Sequence, residues 1–90
     1  MKNKIAIESL SMDLLRVALG YHRGSTKMAK RFSDEALERT SEIKKAEVKP
    51  YFARILGKIP EALNEEDKEI LAEDALMYSV LCRNYAKNLS

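Results

Sequence analysis

The chain has little with which to do chemistry. Its 90 residues include one cysteine, one histidine, no tryptophan and no glutamine. A single thiol, Cys82, excludes an intrachain disulfide and suits a reducing compartment. One cysteine and one histidine fall short of the ligand set of a zinc site. A carboxylate di-iron bundle needs Glu-x-x-His on two helices, and neither copy exists. No loop shows calcium-ligand spacing with its glycine. No apolar run approaches the ~20 residues of a membrane span. The basic start, Met1-Lys2-Asn3-Lys4, leads into Glu8, Ser9, Ser11 and Asp13 rather than the unbroken apolar stretch of a signal peptide. The expectation is a cytoplasmic protein with no metal, no cofactor and no membrane contact.

Breakers of regular structure are also scarce, with three glycines and two prolines. Helix formers (Ala, Leu, Glu, Lys, Arg, Met) are abundant, and no segment alternates with period two. Gly24, Lys49-Pro50 and Ile59-Pro60 are the punctuation. The pattern predicts an all-α fold, a compact bundle of four helical segments, three long and one short. Their approximate spans are 4–22, 25–46, 50–58 and 64–88, in a single domain covering 1–90. A Lys/Glu-rich chain without glutamine also points toward a thermophilic source.

Each segment has its own signature. In the first, Ile7, Leu10, Leu14, Val17 and Tyr21 recur at steps of three and four, widened by Leu15, Ala18 and Leu19, and Arg23-Gly24 is the stop. In the second, Ser25 or Thr26 can cap, and Met28, Phe32, Ala36 and Ile43 form the stripe. Ser33-Asp34-Glu35 offers a rival start, so the segment is either continuous or broken near Ser33. Pro50 opens the third, Phe52, Ile55, Leu56 and Ile59 make its apolar face, and Pro60 should prevent continuation. Asn64 should cap the fourth, with Glu65, Glu66 and Asp67 in its first turn. Leu71, Ala75, Tyr78, Cys82, Tyr85 and Leu89 then follow as a seam for helix packing or oligomerisation. Ile70, Leu76, Val80 and Leu81 sit beside that seam, a breadth that suits a bundle core.

Charge is uneven along the chain. Residues 1–32 hold seven cations against two acids, and residues 61–77 hold seven acids against one lysine. Arg23, Lys27, Lys30 and Arg31 surround the first inter-helix turn, with Arg16 upstream. Such a cluster can neutralise phosphates, so these five residues are the candidate anion or nucleic-acid contacts. Phe32 and Tyr21 fall on the apolar stripes, apart from the cations. Arg16 and His22 are the candidate catalytic pair. The stretch Arg16-Val17-Ala18-Leu19-Gly20-Tyr21-His22 fits the loose Arg-x(4–6)-His spacing of HEPN-class metal-independent ribonucleases, which are helical. There His22 would act as acid or base and Arg16 would steady a phosphate. The chain departs from that pattern in placing the motif in its first helix, with Val17 where a polar residue is usual, and no family is assigned on it.

Three functions are therefore weighed. The leading one is a non-enzymatic helical interaction or assembly module that partners itself or another helical protein, because a core this small gains from association. The second is a nucleic-acid-binding accessory protein using the cluster at residues 16–31. The third is a small HEPN-like ribonuclease.

Overall fold

The computed structural model of the chain describes residues 2–89. Four helices follow one another as α1 (Lys2–His22), α2 (Thr26–Glu42), α3 (Pro50–Leu63) and α4 (Lys68–Lys87), with a 3-10 turn at Lys45–Glu47 before α3. No strand occurs among the described residues. The expected all-α bundle is the observed fold. Neighbours in the bundle are α1–α2, α2–α3, α3–α4 and α4–α1, an up-down-up-down ring in which α1 packs most extensively on α4. None of the helices is long and apolar enough to cross a membrane.

On α1, α3 and α4 the core is where the stripes predict it, whereas on the α2 stripe Ala36 and Ile43 are buried but Met28 and Phe32 only half-buried. Ile7, Leu10, Leu14 and Val17 of α1, Phe52, Leu56 and Ile59 of α3, and Leu71, Ala75 and Cys82 of α4 are all buried. At the α1–α4 crossing, two buried serines replace oily contact. The Ser11 hydroxyl donates to the Ser79 carbonyl at 2.8 Å, and the Ser79 hydroxyl donates to the Ser11 carbonyl at 2.7 Å. At the α1–α2 crossing, Gly20 gives the close approach. A Cβ on Gly20 would lie 2.9 Å from both the Cβ and the backbone nitrogen of Ala29. The turn beyond α1 uses Gly24 at φ +77°, with the Ser25 amide donating to the Gly20 carbonyl and the Gly24 amide to the Tyr21 carbonyl. That is a Schellman ending, which satisfies α1's last carbonyls.

Several boundaries differ from expectation. The second helix is continuous through Ser33 but ends at Glu42 rather than at 46. Its last turn carries two hydroxyls that bond backwards, Thr40 to the Ala36 carbonyl and Ser41 to the Glu38 carbonyl, and these compete with further helix. Ile43 is then extended and buried. The third helix runs through Pro60 to Leu63 instead of stopping at 58. Proline forfeits one hydrogen bond there, but Leu56, Ile59 and Leu63 are all buried on one face, and their burial outweighs that loss. Asn64 closes α3 rather than opening α4. Asp67 is the true cap, its carboxylate accepting from the amides of Glu69 and Ile70 at 3.0 and 3.3 Å. Glu65 and Glu66 therefore lie in the connecting loop.

Gly20→Ala gains roughly 1 kcal/mol of helix propensity. The new methyl meets backbone and must push α1 and α2 apart, at a cost of about 1–3 kcal/mol. The expected outcome is a net loss of stability, read as a lower urea midpoint with an unchanged m-value.

Candidate functional site

The seam residues of α4 face inward. Leu71, Ala75, Cys82 and Tyr85 are buried, and Tyr78 and Leu89 are half-buried against the core. Tyr85 does more than fill space. Its ring stacks on Phe52 at 3.9 Å between centroids with 7° between planes, and its hydroxyl accepts the Lys49 amide at 3.0 Å. One side chain of α4 thus fixes the start of α3. Burial pushes the Cys82 thiol pKa from an ordinary 9.0 up to about 12, so the nucleophilic thiolate is suppressed. Burial, then the nearby Asp74 and Glu61 carboxylates, likewise raise the Tyr78 pKa.

The residues flanking that seam do not join the core. Ile70, Leu76 and Leu81 are 45%, 48% and 37% exposed, and Val80 is half-buried. Met77 is exposed with them. The reason is geometric. Among the described residues, α4 packs only against α1 and α3, and those two neighbours cover one side of it. Its apolar surface is broader than the space they enclose. On α1, Ile5 and Met12 are exposed as well.

Arg16 and His22 are not brought together. Six residues of helix separate them by about 9 Å of rise and about 120° of rotation. Arg16 stands 3.9 Å from the buried Asp13 carboxylate and lies over the Phe32 ring at 5.2 Å. His22 is exposed at the helix end, beside a shallow depression lined by Tyr21, Lys68, Glu69, Ala72 and Glu73. No group of three or more metal-ligating side chains occurs among the described residues.

The basic cluster is real as a surface. Arg23, Lys27, Lys30 and Arg31 are exposed, and from Leu14 to Ser33 the chain contains no acid. Phe32 is not separate from these cations, as its place on the stripe implied. The guanidinium of Arg31 lies 5.7 Å from its ring centre, alongside that of Arg16. The contact comes from α1 and α2 together, so spacing along one helix did not reveal it.

A second feature escaped sequence reasoning. Asp13 is 3% exposed and accepts from the Arg39 Nε at 2.9 Å. That hydrogen bond raises the Arg39 pKa, with Asp13, Glu42 and Glu35 adding to it against a smaller effect of burial. The available signal was an acid set between Leu10 and Val17, at steps of three and four, on α1's inward face.

Comparison with protein-family models, curated proteins and solved structures finds no match to the chain.

Because its folded pKa is raised, Cys82 stabilises the fold below about pH 9, and this contribution is lost as pH rises toward about 12. In the native protein at pH 8 the thiol should react with a disulfide reagent only as fast as the chain opens. Full reactivity is expected in denaturant. Rapid, stoichiometric labelling of the native protein at pH 8 would count against this burial.

Proposed function

We propose that the protein is a non-enzymatic helical assembly module that associates with a second copy of itself through the outward face of α4. The observation that carries this is the exposed group Leu76, Met77 and Leu81, which sits at the middle of α4 with Val80 among it. Single exposed apolar residues are ordinary, but several on adjacent turns of one face mark an interaction surface. The lean interior supports the same reading. Five of the buried apolar residues, Ala18, Ala29, Ala36, Ala75 and Ala86, are alanines, each burying little area. Association adds apolar burial that the monomer lacks.

Sedimentation equilibrium over a concentration series tests this. Reversible association is expected, weakened at least tenfold by Leu76→Ser with Leu81→Ser, while far-ultraviolet circular dichroism stays helical. A wild-type chain that remains monomeric at the highest concentrations would remove the proposal.

A second reading follows from a different surface. The acid-free run from Leu14 to Ser33, with Arg16 and Arg31 held at Phe32, suits a phosphate backbone. Electrophoretic mobility shift with labelled single- and double-stranded oligonucleotides should show binding that falls steeply between roughly 50 and 200 mM salt. Lys27→Glu with Lys30→Glu and Arg31→Glu should abolish it. No retardation at low salt, or none of it lost in the triple variant, dismisses the nucleic-acid reading.

A further inference from the structure

The outward face of α4 carries its own complement, and we infer that the second copy docks there antiparallel, α4 against α4. This inference rests on the self-association proposed above and adds its orientation and register. Glu69, Glu73, Leu76, Val80, Arg83 and Lys87 follow at alternating steps of four and three, so they form one stripe along the helix. At about 100° per residue, that stripe lies away from the inward-facing Leu71, Ala75 and Cys82. Five of its six residues are exposed, and Val80 is half-buried.

Read along the helix, the stripe is acid, acid, apolar, apolar, base, base. Turned end for end against a copy, it matches itself. Glu69 faces Lys87, Glu73 faces Arg83, and Leu76 faces Val80, every pair centred on position 78. A parallel arrangement would set glutamates against glutamates and cations against cations. A two-fold axis through the middle of α4 therefore gives an isologous contact with an apolar centre and four opposite-charge pairs around it. Met77 and Leu81 are exposed to one side of that centre, about 80° and 120° around the helix from the stripe. Among the described residues, none of the four charged groups is engaged in an ion pair within its own chain; the ion pairs observed all involve Asp13. A helix of this length presents a contact about 30 Å long. That is the small end of specific interfaces.

A charge exchange tests the orientation. One variant carries Glu69→Lys and Glu73→Lys, and the other carries Arg83→Glu and Lys87→Glu. Each reverses exposed residues only. Glu73→Lys and Arg83→Glu, which are further from the helix ends, serve as a milder pair should either double variant lose helix. Sedimentation at low salt should show each variant alone weakened roughly a hundredfold, because four attractive pairs become repulsive. An equimolar mixture should form a heterodimer at close to the wild-type affinity. High salt should narrow the differences. If the wild type associates and the reversed variants associate equally well, the antiparallel register is overturned while self-association stands. A mixture that associates no better than its separate components also overturns it. A monomeric wild type removes the underlying reading and this one with it.

Discussion

Ser11 and Ser79 sit at the centre of the most extensive helix pair, each donating to the other's main chain while nearly inaccessible to solvent. Sliding α1 along α4 by one residue would break both interhelical hydrogen bonds in a dry contact, each worth about 0.5–1.5 kcal/mol. Hydrophobic packing alone tolerates such slips more readily, because one oily side chain can replace another. The serine pair therefore specifies register where leucines would specify only proximity. Once α4 is held at this rotation, Leu71, Ala75 and Cys82 must point inward, and Leu76, Met77 and Leu81 must point out. The exposed apolar face of α4 is a direct result of that lock.

A similar division of labour holds at the α1–α2 contact. Gly20 against Ala29 sets the separation of the helices, and the ion pair between Asp13 and Arg39 sets their alignment. Removing one partner of such a pair would leave a carboxylate in a nearly dry position, so the two residues act as a unit. On the outer surface of the same contact, Arg16 and Arg31 share the Phe32 ring. Two positive groups close together are tolerated there because the ring and the Asp13 carboxylate both face Arg16.

Most of the fold was legible in one dimension. Apolar recurrence located all four helices, and the buried apolar residues of α1 are those its spacing selects, as are Leu71, Ala75, Cys82 and Tyr85 of the α4 seam. What stayed hidden depended on partners far away in the chain. Pro60 reads as a terminator from its ring chemistry, yet burial of Leu56, Ile59 and Leu63 carries α3 past it. Asn64 and Asp67 are both good caps by type, and only the hydrogen bonds show which one is used. The candidate site was less legible. Period alone assigned Ile70, Leu76, Val80 and Leu81 to the interior, because a wide apolar face looks the same whether two helices or three cover it. The palindromic charge order along α4 was present in the sequence, but it has meaning only once that face is known to be outward.

Tyr85 is 36 residues away from the amide it accepts, and Ser79 is 68 residues away from its serine partner. No consecutive half of this chain thus holds a finished core. During synthesis, α1 and α2 can pair early, but the apolar side of α1 that α4 covers stays open until α4 emerges. A chain stalled within α4 would therefore hold that side of α1 uncovered, presenting chaperones with a client rather than a folded intermediate.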